Sequence, residues 1–242
     1  MWNNEPSRAS QSRNADRARV DGVAVVGGSY SSLNLDKQIK DARRNALIVA
    51  RFPPGGALLD LGANIGEVSI TCAHRFDQVW AVEANPDTFR VMKRRIAEAE
   101  LSEKIITINA VVAPESGKTY FVSRPSKCAI GSSARAQMRR KNTNGYYKKV
   151  TTIALEELLA TSGARCVKMD IEGSEFECLA NFTFPEFVRH FVVEFHGIAT
   201  RPKRDQLFAI VNRLSASGLR LTSKLPPKNK IWYGLQTCVF ER

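Results

Sequence analysis

The chain has no Cys-x-x-Cys pair, no apolar run near the roughly 20 residues that span a bilayer, and only three histidines. Its five cysteines, Cys72, Cys128, Cys166, Cys178 and Cys238, are scattered. That spacing argues against both a disulfide framework and a zinc site. The first residues, Met-Trp-Asn-Asn-Glu-Pro-Ser-Arg, lack the apolar stretch of a signal peptide, so a reducing, cytoplasmic setting is expected. Acids are missing from one long stretch altogether. Residues 124–149 hold eight Lys and Arg and no Asp or Glu.

The net charge of +12 is therefore unevenly placed. Residues 124–149 contribute +8, residues 201–230 contribute +7, and the first 20 residues +2, which leaves −5 for the rest. A mildly acidic body with two basic segments predicts an acceptor or partner rich in phosphate or carboxylate, or else solvated loops that favour solubility.

With 242 residues, 43% of them hydrophobic, the chain suffices for one globular domain with a full core. Residues 1–20 are polar and aperiodic and read as a flexible basic tail. Residues 21–242 read as a single domain with a basic insertion at about 117–150. Val23–Val26 suggests a short strand. Helical spacing from Leu35 to Phe52 ends at Pro53-Pro54 and Gly55-Gly56. Short apolar strands then alternate with amphipathic helices, the pattern of a mostly parallel sheet. Seven strands are expected, at 57–61, 78–82, 104–109, 165–169, 190–195, 219–223 and 231–240, with helices on both faces. Segments 117–122 and 148–152 look like strand material outside that alternation.

The strongest local signal is Leu58-Leu59-Asp60-Leu61-Gly62-Ala63-Asn64-Ile65-Gly66-Glu67. A buried strand enters a glycine turn and a helix follows at once, so free N–H groups face outward there. The turn reads Gly-x-Asn-x-Gly, and it lacks the second glycine of a dinucleotide fingerprint. Val79 to Glu83 is a strand that ends in an acid 23 residues beyond Asp60, where a carboxylate can accept both hydroxyls of a ribose.

Two further strand ends carry titratable groups. Val167-Lys168-Met169-Asp170-Ile171-Glu172-Gly173-Ser174-Glu175 places three acids where a strand hands over to a helix. Acids at a helix start gain from its dipole, but Asp170 is expected at the strand tip itself. Val193-Glu194-Phe195-His196 places an acid and a histidine at the same edge, where the imidazole could serve as a general base on a hydroxyl. His74 and His190 read as packing or surface residues. Asp170, Glu172 and Glu194 are oxygen ligands of the type hard cations take, yet the spacing does not require an ion and no metal is expected.

In order along the chain, these residues resemble the FkbM-type methyltransferase family. The match lies in Asp60–Gly66, in Val-Glu-Ala-Asn-Pro at 82–86, in the 167–175 block and in Val-Glu-Phe-His at 193–196. Smaller echoes are Asn109-Ala110-Val111, Gly131-Ser132-Ser133 and residues 151–158, and the likeness spans about residues 53–240. It implies an α/β, Rossmann-like class I methyltransferase fold, S-adenosyl-L-methionine as cofactor, and a hydroxyl on a small molecule or glycan as acceptor. Asp60, Gly62, Asn64, Gly66, Glu83, Asn109 and Ala110 would then bind cofactor. Asp170, Glu172, Glu194 and His196 would be catalytic. The basic loop 124–149 departs from the family pattern, and from its own composition Ser132, Ser133, Arg139, Arg140 and Lys141 are expected to meet the acceptor.

The acid-free basic segment leaves nucleic acid as the alternative partner, through RNA ribose or cap methylation or as an RNA-binding methyltransferase-like subunit. Ribose methyltransferases use a Lys-Asp-Lys-Glu set. Lys37 or Lys40 and Asp170 could begin one, but the fifth strand ends in Glu194 and residues 171–193 contain no Lys.

Overall fold

The computed structural model describes residues 42–123, 146–223, 225 and 234–242, together with Arg19–Val20 and Val23–Ala24. Ser132, Ser133, Arg139, Arg140, Lys141, Lys37 and Lys40 lie outside the described residues.

Strands β1 (Arg19–Val20) and β2 (Val23–Ala24) form a two-residue antiparallel ladder. The remaining strands build one sheet: β3 (Ala57–Leu61), β4 (Gln78–Glu83), β5 (Ile105–Ala113), β6 (Gly117–Ser123), β7 (Tyr146–Ala154), β8 (Cys166–Met169), β9 (His190–His196), β10 (Arg220–Leu221) and β11 (Leu235–Glu241). Their order is β10-β11-β9-β8-β3-β4-β5-β7-β6. The six strands from β9 to β7 run parallel, and β6, β11 and β10 pair antiparallel at the two ends.

Among the described residues the sheet thus has nine strands, not the seven expected. β5 continues past Asn109 for four residues, and Ala110–Ala113 pair with β7 after β4 has ended. The strand-like ends of the basic segment, β6 and β7, are therefore the sheet's own edge.

Residues 42–49 are helical and form α1. The other helices are α2 (Glu67–Cys72), α3 (Pro86–Glu98), α4 (Leu155–Ser162), α5 (Glu175–Leu179) and α6 (Arg201–Ala216). Asn85 caps α3 by accepting the N–H of Asp87, with Pro86 behind it, and Pro202 sits in the first turn of α6. No helix among the described residues is long and apolar enough to cross a membrane.

The period-2 alternation of strands divides the core into two layers. Leu59, Leu61, Val167, Met169, Val193 and Phe195 pack with α4, α5 and α6 on one face. Leu58, Cys166 and Val192 pack with α1, α2 and α3 on the other. The same parity places Asp60, Lys168, Glu194 and His196 on the α1–α2 face, near the carboxyl ends of their strands. The chain order reverses between β3 and β8, the switch point at which open α/β sheets bind ligands.

Candidate active site

The turn after β3 is held from below by a buried cation. Lys168, 4% exposed, extends from β8 and places its Nζ 3.1 Å from Asp60 Oδ1, and it donates to the carbonyls of Gly62 at 2.8 Å and Leu61 at 3.3 Å. Asp60 is fully buried, and its Oδ2 accepts the Ser69 hydroxyl of α2 at 2.6 Å. Asp60 therefore anchors the turn and does not face outward. Burial pushes the Lys168 ammonium down, but the pull of Asp60 and then Asp170 outweighs it and the net shift is upward. Sequence reasoning omitted Lys168 from the site. Its signal was a lysine inside the four-residue apolar strand Cys-Val-Lys-Met, in register with Asp60.

Two glycines are required by geometry. Gly62 has φ +74°, and a Cβ there would stand 1.8 Å from the carbonyl oxygen of Asp170. Gly66 has φ +82° at the start of α2, and a Cβ would meet Met92 at 3.0 Å. From α3, Arg95 donates to the Ile65 carbonyl at 2.8 Å and pairs with Glu67 at 2.8 Å, which ties the far side of the turn down.

Glu83, at the tip of β4, is 8% exposed and accepts the backbone N–H of Asn64 at 2.9 Å and of Asn85 at 2.8 Å. Burial pushes its carboxyl up to about 7, against the lowering effect of those two hydrogen bonds. Asn109 donates its Nδ2 to the carbonyls of Glu83 at 2.7 Å and Ala84 at 3.3 Å, and Ala110 is buried beside it. The turn fits an adenosine-bearing cofactor on two counts. Each Glu83 oxygen keeps a lone pair for a ribose hydroxyl. The Oδ1 of Asn64, whose backbone has φ +52°, is buried without a partner.

A cavity of about 230 Å³ joins this turn to the second half of the site. Gly62 to Ile65 form one wall, and Lys168, Asp170, Glu172, Glu194 and His196 form the other, with Ala42 and Asn45 of α1 above. His196 Nδ1 lies 2.9 Å from Oε1 of Glu175, a fully buried carboxyl that also accepts the N–H groups of Ile171 and Gly173 at 3.1 Å each. Nε2 of His196 is 3.6 Å from Glu172 Oε2 and 3.8 Å from Asp170 Oδ1. Glu172 reaches this point from a left-handed backbone, φ +56°, uncommon for a residue with a side chain. Glu194, 8% exposed, accepts Asn45 Nδ2 at 3.2 Å and lies 3.8 Å from Arg44.

Burial pushes Asp170 up to about 6, opposed by Lys168 and assisted by Glu194, and pushes Glu172 up to about 7, opposed by His196. Burial would lower His196, but the hydrogen bond and charge of Glu175, with Glu172 and Asp170, raise it to about 9. An imidazole that holds its proton so firmly is a poor general base at neutral pH. The carboxylates are the better bases here. Glu175 and Asn45 were the other residues sequence reasoning missed. Asn45 carried no signal, because only packing brings α1 over the strand ends. The remaining histidines match expectation: His190 stacks on Phe52 at 4.8 Å and His74 is exposed.

The sequence model of the methyltransferase FkbM domain matches residues 60–220, which include the Gly62–Ile65 turn, Glu83, Lys168, the 170–175 acids, Glu194 and His196 but not Asn45 of α1. Among solved structures, the methyltransferase FkbM from Methylobacillus flagellatus KT is 14% identical, with a TM-score of 0.48 over 79% of this chain and 44% of that one. TrmK of M. capricolum, solved with S-adenosyl-homocysteine, is 12% identical, with a TM-score of 0.46 over 82% of this chain and 67% of that one. A tRNA (m1A22) methyltransferase of Streptococcus pneumoniae, so described provisionally, is 15% identical, with a TM-score of 0.44 over 82% and 69%. No curated protein matches the chain significantly. This chain thus spans less than half the length of the Methylobacillus protein. The match over residues 60–220, through the Asp60 turn and the Asp170 block, means that the chain belongs to the methyltransferase FkbM domain family.

Proposed function

We propose that the protein transfers the methyl group of S-adenosyl-L-methionine to a hydroxyl oxygen, on a small molecule or glycan, in the cytoplasm. The observation that carries this reading is the continuity of the cavity. The Gly62–Ile65 turn lines one side of it, and the Asp170, Glu172, Glu194 and His196 cluster lines the other.

Asp60, Gly62, Asn64, Gly66, Glu83, Asn109 and Ala110 form the cofactor half. Glu83 accepts the ribose hydroxyls, Gly62 and Asn64 give the turn its shape, and Asp60 with Lys168 keeps that turn rigid. The bound cofactor supplies an electrophilic methyl carbon on a sulfonium sulfur. Asp170, Glu172 and Glu194 orient the acceptor hydroxyl and take up its proton, and His196 with Glu175 holds the Glu172 turn against the end of β9. Positioning of two reactants in one small cavity accounts for most of the rate gain such a transfer needs.

Calorimetry with S-adenosyl-homocysteine tests the reading directly. Binding of one equivalent is expected, and no detectable heat at millimolar ligand overturns it.

One observation supports a second reading of the acceptor. Eight basic residues without an acid at 124–149, including Arg139, Arg140 and Lys141 in the same segment as Ser132 and Ser133, suit a polyanion such as RNA. Under that reading Tyr146 and Tyr147 would add stacking surface for bases.

A further inference from the structure

We propose that Asp170, Glu172 and His196 bind one divalent metal ion, such as manganese(II), beside the cofactor turn.

One ligand atom from each of the three residues lies within 4.8 Å of the others. His196 Nε2 faces Glu172 Oε2 at 3.6 Å and Asp170 Oδ1 at 3.8 Å. These gaps exceed a hydrogen bond of about 2.7–3.2 Å. Neighbouring ligand atoms around an ion with bonds of about 2.1–2.4 Å stand about 3.0–3.4 Å apart, so a contraction of a few tenths of an ångström brings His196 to that spacing from each carboxylate.

The imidazole is already oriented for this role, and the ion would displace the proton on its Nε2. Its Nδ1 is engaged by Glu175, which is fully buried and pinned by the N–H groups of Ile171 and Gly173. That contact fixes the ring and turns Nε2 toward the two carboxylates. A histidine that gives its other ring N–H to a buried carboxylate is the usual arrangement behind a metal ligand.

A second observation stands outside the three ligands. Asn45, 4% exposed, lines the same cavity, and its Nδ2 donates to Glu194 while its Oδ1 has no partner. An oxygen buried without a donor is costly, and a hydrated cation in the cavity offers it a water to accept from. Charge points the same way. Asp170, Glu172 and Glu194 line the cavity, with Glu175 behind His196, while the nearby ammonium of Lys168 is already engaged by Asp60 and the Gly62 carbonyl.

Two carboxylates with one imidazole suit a divalent transition ion such as manganese, whereas magnesium and calcium take oxygen alone. Open coordination positions would accept water or the acceptor's oxygen, whose hydroxyl the ion would acidify. Only that last role rests on the methyl-transfer reading. Binding of the ion does not.

The test is titration of the full chain with Mn²⁺, followed by the loss of the free-ion paramagnetic resonance signal, with S-adenosyl-homocysteine affinity measured on the same samples. One site per chain is expected. His196→Ala and Glu172→Gln should each weaken it at least tenfold and leave S-adenosyl-homocysteine affinity within twofold of the parent chain. Glu175→Gln, which acts through His196, should weaken it about 10- to 100-fold. Absence of Mn²⁺ binding by the parent chain, or equal binding by the His196 and Glu172 variants, overturns the ion site. Failure of the parent chain to bind S-adenosyl-homocysteine overturns the methyl-transfer reading instead, and the Mn²⁺ titration still decides the ion site.

Discussion

The carbonyl oxygen of Asp170 lies 1.8 Å from the point where a Cβ on Gly62 would stand. The turn after β3 and the end of β8 are thus in backbone contact, with the Asp170 N–H bonded to the Leu61 carbonyl at 3.0 Å. Any shift of the cofactor turn moves the acidic cluster with it.

Gly62→Ala should therefore damage both halves of the site. Overpacking against an immovable carbonyl costs about 1–3 kcal/mol, and the left-handed φ adds strain to it. Urea unfolding should show the loss, and S-adenosyl-homocysteine affinity should fall with it. An unchanged unfolding midpoint would mean that β8 retreats freely.

Lys168→Met should destabilise the fold by about 3–5 kcal/mol, because it leaves the Asp60 carboxylate buried without its cation. Asp60→Asn with Lys168→Met should cost less than the two single changes summed, since the double change removes both charges. Denaturant curves for the four proteins measure the coupling. The sign with pH follows from the raised Lys168 value. Its contribution is complete below the ordinary lysine range near 10.5 and is lost as pH rises through the raised value.

Cofactor affinity should depend on pH through Glu83. With its carboxyl at about 7, the charged form that accepts ribose hydroxyls is lost as pH falls, and affinity should drop by about tenfold per unit well below 7. Stability moves the other way. Between 4.5 and about 7 the folded chain keeps a proton the unfolded chain has released, so this group's contribution falls as pH rises. Calorimetry with S-adenosyl-homocysteine from pH 5.5 to 8.5 checks the first statement. Glu83→Gln should bind weakly with no such slope.

Asp170→Ala should lower methyl transfer by about 10²- to 10⁴-fold and leave S-adenosyl-homocysteine affinity nearly unchanged, because its side chain faces the acceptor half of the cavity. Activity that survives the change would reduce Asp170 to a packing residue.

The acceptor class can be read from salt. If the 124–149 segment meets a polyanion through six to ten phosphate contacts, RNA affinity should fall by about 10³- to 10⁵-fold between 50 and 200 mM salt. Replacement of Arg139, Arg140 and Lys141 by Ser should flatten that slope without change in S-adenosyl-homocysteine affinity. A flat response in the parent chain removes the nucleic-acid reading and leaves the small-molecule or glycan hydroxyl.

Local patterns in the sequence determined the parallel core, the glycine turn at Gly62 and Gly66, and the strand-end acids Glu83, Asp170 and Glu194. Each is written in consecutive residues, because strand alternation, a positive-φ turn and a strand tip are properties of a few neighbours. Tertiary structure decided what those patterns do. The two extra strands exist because β5 outruns β4 and exposes four residues for β7 to pair with. Lys168 meets Asp60 only once β8 lies beside β3, 108 positions apart in the chain. His196 is raised to about 9, above the ordinary imidazole value, because Glu175, on another element, engages its Nδ1. Asn45 joins the site because α1 packs over strands almost 150 residues downstream. Burial and long-range pairing shift Lys168, Asp170, Glu172 and His196 from their ordinary values, and neither is written in the neighbours of any one residue.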